Sequence, residues 1–342
     1  MADEIRIAPR ARLRTTERSP VSVDADWLDS ALPTLVRANL PGLDLAAWIT
    51  ENRAEVARLA HTAGAVLFRG FAVDSADDFK VVMEALTNGG LPYGERSSPR
   101  TEVMEGIYTS TEHPADQPIL LHNEQSYTTD WPLHIVFHCR TEPTRGGRTP
   151  VADSRKVLAR LRPETVAAFE ERGILYVRNY VPGLSLSWHE AFGTDRREDV
   201  EAYGLRNDIQ VEWIGDDQLR TSQLRQAVRR HPVTGERTWF NHALFFHATS
   251  LPPEVRDGLL SALDEADLPY NTYYGDGGRI EEPVLAELRA AYEAETMSFA
   301  WREGDVLMVE NMLVAHAREP FEGPRRILTA MATQISSTEC QI

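Results

Sequence analysis

The sequence predicts a mainly β protein, a jelly-roll barrel with helical additions. Three observations lead there. Short runs with strand-like alternation recur along most of the chain. Turn residues part them at close intervals, drawn from 20 Pro and 21 Gly. The helical patterns gather toward the N-terminus. A doubly wound α/β fold ranks lower, because regular strand–helix alternation stops near residue 90 and no Gly-rich phosphate loop is present.

Residues 1–25 alternate Arg with polar and small residues and read as an N-terminal arm or an edge strand, and residues 26–342 as a single domain. Asp44 to Ala63 carries Leu45, Trp48, Ile49, Val56 and Leu59 at helical spacing, and Gly64 stops it. Ala65-Val66-Leu67-Phe68 is a short buried strand. Ser75 caps a helix with Phe79, Val82, Met83 and Leu86 inward. Residues 91–118 are irregular and polar, which suits a substrate lid or a surface connection equally.

Ile119 to Glu124 reads as an extended segment. Period-two alternation would then put His122 and Glu124 on one face. Asp130-Trp131-Pro132 reads as a turn. Leu133 to Cys139 alternates, with Ile135, Phe137 and Cys139 on one face and His134, Val136 and His138 on the other; the two histidines, lacking a carboxylate, read as structural. Asp153 or Ser154 caps a helix. Strands then continue to a hairpin around Pro232-Val233-Thr234-Gly235. Asn241 to His247 follows, rich in groups suited to a pocket. Pro252–Leu263 and Pro283–Ala294 are helical, and strands resume at Val306 and Ile327.

The whole chain narrows the function. Its net charge of −16 argues against a general nucleic-acid or membrane-surface binder. No apolar run is long enough to span a bilayer, and Met1 to Arg18 lacks the apolar core of a secretory signal. Two cysteines fit a reducing compartment, so a cytoplasmic protein is expected.

His122-x-Glu124, Gly146-Gly147-Arg148-Thr149, His316 and Arg325-Arg326 form one ordered set. On these motifs the chain resembles the TauD/TfdA family of Fe(II)/2-oxoglutarate-dependent oxygenases, from about Val66 to Ala332. His122-Asn123-Glu124-Gln125-Ser126-Tyr127 and His231-Pro232-Val233-Thr234-Gly235 resemble most the branch of SyrP-like amino-acid hydroxylases of peptide-antibiotic pathways. The resemblance implies a double-stranded β-helix core, Fe(II), 2-oxoglutarate and O2 as reaction partners, and His122, Glu124 and His316 as metal ligands. It gives Thr149 and Arg326 the co-substrate. Arg326 would pair its fork with the far carboxylate, and alternation would turn Arg325 outward. Glu124 stands where most members have Asp; Glu also occurs in this role in clavaminate synthase and asparagine oxygenase relatives. Halogenating relatives have Ala or Gly there, so a carboxylate points to oxygenation.

The expected reaction is hydroxylation of an unactivated carbon, the β-carbon of an amino acid above others. The amino acid is either free or held by an aminoacyl carrier protein. Desaturation, cyclisation or a catalytically silent binding homologue are the alternatives. Arg96, Arg100 and Asn241 are candidate substrate residues. Arg145, Arg148, Arg155, Lys156, Arg160 and Arg162 form a basic cluster that would suit an acidic carrier, or else a solvated helix face.

Overall fold

Residues 19–87, 90–91, 101–110, 113–215 and 217–341 are described in a computed structural model of the chain. Two sheets pack against each other, and the functional residues lie between them. The larger has eight strands, in the order Val21–Asp24, Thr34–Ala38, Ala65–Arg69, Val306–Glu310, Asp130–Thr141, Arg326–Ser336, Ile107–Thr109 and Glu102–Met104. Only Thr34–Ala38 and Ala65–Arg69 pair in parallel, and the helices Leu45–Glu51 and Arg53–Ala63 supply the crossover that a parallel pair needs. The smaller sheet, antiparallel throughout, runs Thr296–Met297, Val151–Asp153, Val314–Arg318, Ile119–His122. This is the jelly-roll core.

The alternation of the central strands explains the layers. Ile135, Phe137, Leu307 and Val309 pack with Val151 and Val314 of the smaller sheet. Val136, Val306 and Met308 point the other way and pack with Leu59, Phe79 and Val82 of the helices. Val306–Glu310 is therefore buried on both faces, which is why it reads as an unbroken apolar run.

The helix expected over Asp44–Ala63 is two helices. Asp44 caps the first through the Ala47 N–H at 3.0 Å, and the chain breaks at Asn52, with φ −119° and ψ 25°. Gly64 ends the second at φ +83°, where a Cβ would stand 2.3 Å from Val314 Cγ2. Only glycine permits both that conformation and that approach. The turn expected at Asp130-Trp131-Pro132 is instead the start of the long strand Asp130–Thr141. Trp131, buried with Phe240, Met312 and Cys340, holds the segment extended against the local turn signal.

A third sheet, Ile209–Ile214, Gln218–Arg225, Ile174–Tyr180, Tyr270–Tyr274, forms a wall beside the core. The expected hairpin is present as Val228–Arg230 and Arg237–Trp239. Of the expected arm, Val21–Asp24 is an edge strand of the larger sheet. Among the described residues no helix is long and apolar enough to cross a membrane.

Candidate metal centre

His316 lies mid-strand in Val314–Arg318, and His122 ends Ile119–His122. The two are directly opposed across the antiparallel pair, with ring centroids 4.4 Å apart. Glu124 lies beyond the strand end, so it does not meet His122 by strand alternation as its spacing implied. It reaches the site through a buried turn in which Gln125 has φ +53°. The ligand atoms of His122, Glu124 and His316 all lie within 4.8 Å of one another.

Asn311 holds that turn. Its Oδ1 accepts the Glu124 N–H at 2.8 Å, and its Nδ2 donates to the Glu124 and Pro132 carbonyls at 2.9 and 2.8 Å. Asn123 Nδ2 donates in return to the Asn311 carbonyl at 2.7 Å. The His122 Nδ1–H donates to the Leu120 carbonyl at 2.9 Å, so Nε2 is the nitrogen that could take a metal. Beside it His242, fully buried, lies 5.6 Å ring to ring from His122 and meets Ser126 Oγ through Nδ1 at 2.6 Å. Burial depresses its pKa strongly and keeps it neutral. Two imidazoles and one carboxylate, converging from one side, fit Fe(II) with positions left for other ligands.

These residues open onto a cavity of about 330 Å³ with apolar walls that include Ile119, Phe137, Phe245, Phe246 and Leu251. Thr149 lines it; its Oγ accepts the Trp301 Nε1–H at 3.0 Å, so its own proton is left for an acceptor in the cavity. Arg325 also lines it. Its Nε donates to the Gly147 carbonyl at 3.0 Å. Burial, reinforced by the charge of Arg318, pulls its pKa down to about 10, so it stays charged at neutral pH. A Cβ on Gly147 would stand 3.1 Å from Arg325 Cδ and 2.9 Å from Phe321 Cβ, so the second glycine of the motif makes room for this arginine.

Arg326, expected in the cavity, is exposed, and Arg325, expected outward, faces in. Alternation between the pair holds, but its phase is reversed. Regular strand pairing begins at Arg326 and is irregular between Arg326 and Ile327, so counting from His316 does not set the register. Asn241 is absent from the cavity lining. It is buried and spent on backbone, donating to the Ala227 carbonyl and accepting the Ala243 N–H, both at 2.9 Å. Arg96 and Arg100 lie outside the described residues.

Two further arginines, Arg178 and Arg318, line the cavity and were not singled out from sequence. Arg318 donates to the carbonyls of His113, Pro114 and Gln117 and so ties the polar segment to the metal strand. Of the two histidines read as structural, His134 meets the buried Glu310 carboxylate at 3.0 Å, and His231 meets its other oxygen at 3.0 Å. His138 stacks on Phe79.

The family described as "Taurine catabolism dioxygenase TauD, TfdA family" matches residues 29–331. The dapdiamide synthesis protein DdaC of Enterobacter agglomerans is 42% identical over 268 residues, covering 78% of this chain and 82% of that one. A clavaminate synthase-like protein of Arabidopsis thaliana is 32% identical over 283 residues, covering 80% and 82%. In fold, the chain is similar to PvcB, described as an Fe, alpha-ketoglutarate dependent oxygenase from an isonitrile synthetic pathway. The TM-score is 0.52 at 16% identity, with 90% of each chain covered. The chain belongs to the TauD/TfdA family and is an Fe(II)/2-oxoglutarate-dependent dioxygenase, which uses O2.

Proposed function

We propose that this oxygenase hydroxylates an unactivated carbon, the β-carbon of an amino acid above others, in a natural-product pathway. The observation that carries the reading is convergence: His122, Glu124, Thr149, His316 and Arg325 come from distant parts of the chain and line one cavity. The similarity to a protein of dapdiamide synthesis supports the pathway class.

His122, Glu124 and His316 would hold Fe(II), and Thr149 and Arg325 would hold the far carboxylate of 2-oxoglutarate through charged hydrogen bonds. When bound, this pair and O2 supply the oxidising chemistry, with 2-oxoglutarate ending as succinate. The chain's own part is placement and exclusion of water. Asn311 fixes the backbone of Glu124, Leu120 fixes the tautomer of His122, and the apolar walls keep solvent from the reacting carbon.

The test is succinate formation from 2-oxoglutarate with a panel of amino acids, free and carrier-bound, and mass analysis of the product. Substrate-dependent succinate with a 16-dalton gain (one oxygen atom, roughly) is expected. Full activity after His316→Ala would sink the assignment of the ligands.

A further inference from the structure

Glu310 is a buried carboxylate outside the metal cavity. Along the strand Val306–Glu310, Val306 and Met308 face the helices, and Leu307 and Val309 face the smaller sheet. Alternation puts Glu310 at the end of the first row. Asn311, one residue on, is turned to the other side, where it meets Glu124. Two apolar rows thus end in polar side chains set back to back, and both are fully buried. A buried carboxylate is costlier to fold than an apolar side chain of its size, so its place calls for a reason beyond packing.

Two histidines clamp it. His231 Nδ1 accepts the backbone N–H groups of Val233 and Thr234 at 3.3 and 3.1 Å, so its proton sits on Nε2 and is donated to Glu310 Oε1 at 3.0 Å. The turn His231-Pro232-Val233-Thr234-Gly235 thereby fixes a tautomer. The ring of His61, from the helix Arg53–Ala63, meets His231 edge-on at 5.8 Å. On the other side His134, the cross-strand partner of Glu310, stands 3.0 Å from Oε2. His134 Nδ1 in turn meets Thr333 Oγ at 3.0 Å, and Thr333 has φ +59°. That conformation is strained for a β-branched residue and persists only where the surroundings impose it. The residues before His134 hold Asn311 itself: the Leu133 carbonyl accepts its N–H and the Pro132 carbonyl its Nδ2, both at 2.8 Å.

We propose that Glu310 is a positioning residue for the metal centre. Clamped by His134 and His231, it fixes the rotation of the strand end, aims Asn311 at the turn, and so sets the direction from which the Glu124 carboxylate reaches the metal. The inference rests on the ligand set proposed above and deepens it. A carboxylate that served stability alone would change how much of the chain is folded and leave the metal site of the folded protein as it is.

The experiment measures Mn(II) affinity of the full chain for wild type, Glu310→Gln, Asn311→Ala and the double variant, with His316→Ala to mark the Mn(II) held by the triad. Gln keeps the shape of Glu and turns one accepting oxygen into a donor, which a histidine N–H cannot meet. Glu310→Gln is expected to weaken Mn(II) binding on the order of tenfold. In the Asn311→Ala background the same change should cost little more, because Glu310 acts through Asn311 and the two losses then do not add. In the metal-free chain, hydrogen exchange at the Glu124 amide should quicken in Glu310→Gln, while amides of the strand Ile174–Tyr180 keep their wild-type rates. Should a variant fail to fold, Thr333→Val, which removes the hydroxyl contact to His134 and keeps the shape, is paired with Asn311→Asp and the same outcomes are expected. Mn(II) affinity unchanged by Glu310→Gln, or losses that add in full, overturns the inference and leaves the ligand set standing. Wild type that binds Mn(II) no better than His316→Ala overturns both.

Discussion

Arg325 and Arg326 are neighbours in sequence and face opposite ways, one into the metal cavity and one into solvent. Arg325→Ala should therefore raise the KM for 2-oxoglutarate steeply, because a buried carboxylate would lose its charged partner, at a cost of about 2–5 kcal/mol. Arg326→Ala should change it little. The KM values of the two variants decide the matter, and the reverse order would mean that the co-substrate lies elsewhere. Single residues also show what sequence can carry. His122, Glu124, Thr149 and His316 were readable because their chemistry and order are distinctive. The choice between two adjacent arginines depended on where a strand becomes regular, and neighbouring residues do not encode that. Arg178 was hidden in a row that looks like an ordinary core strand, since its place in the cavity wall is shared with Tyr270 and Phe246, far along the chain.

Strand existence was largely legible and strand partnership was not. Alternation located Leu133–Cys139 and assigned its faces, because each side chain there answers to a different layer. The turn at Asp130 and the single helix over Asp44–Ala63 failed where distant packing, or one residue such as Asn52, overrode the local signal. The link from Asn311 to Glu124 was equally unreadable, as it spans 187 positions. That link joins two elements: the end of the strand Val306–Glu310 and the turn after Ile119–His122. Asn311→Ala would leave the Glu124 N–H and two carbonyls buried without their partner, a loss of about 1–3 kcal/mol for each group. Mn(II) affinity, read from the free-ion resonance signal, should fall by roughly tenfold or more, as losses of supporting hydrogen bonds do. Asn311→Asp, which retains the acceptor for the Glu124 N–H, should bind more Mn(II) than Asn311→Ala. A variant that melts earlier yet binds Mn(II) as wild type does would show that Asn311 serves the fold alone.

Over the whole molecule the charge of −16 is accompanied by local pairing of the cations. In the basic cluster Arg145 meets Glu322, Arg155 meets Asp153 and Glu236, Arg160 meets Glu295, and Arg162 meets Glu287. That surface is a salt-bridged rim, and it lends no support to docking of an acidic carrier. The pH dependence of stability follows instead from buried histidines. Burial pulls His138 and His247 from the ordinary 6.5 to about 4. Each has a folded pKa below its unfolded value, so between pH 6.5 and 4 the unfolded chain binds protons that the folded chain refuses. Their contribution to stability is complete above the unfolded value and is lost as pH falls toward 4. The slope is about 1.4 kcal/mol per pH unit for each histidine. Below that window Glu310 continues the loss. Burial alone would raise its pKa, but hydrogen bonds from His134 and His231 outweigh burial and hold it at about 2. Urea unfolding of the metal-free chain at pH 7 and pH 5 should thus differ by about 2 kcal/mol for each of the two histidines, on top of the loss from His242, whose pKa burial also depresses. Metal must be absent, since His122 and His316 would add proton release of their own. His247 gives the clean control, because it caps a short helical turn by accepting the Thr249 N–H through Nδ1 at 3.1 Å. Asparagine at that position can keep the cap and cannot take the proton. His247→Asn should leave stability at pH 7 nearly unchanged and remove about half of the two-histidine slope. A slope equal to that of wild type would mean that His247 is protonated as readily in the folded chain as in the unfolded one.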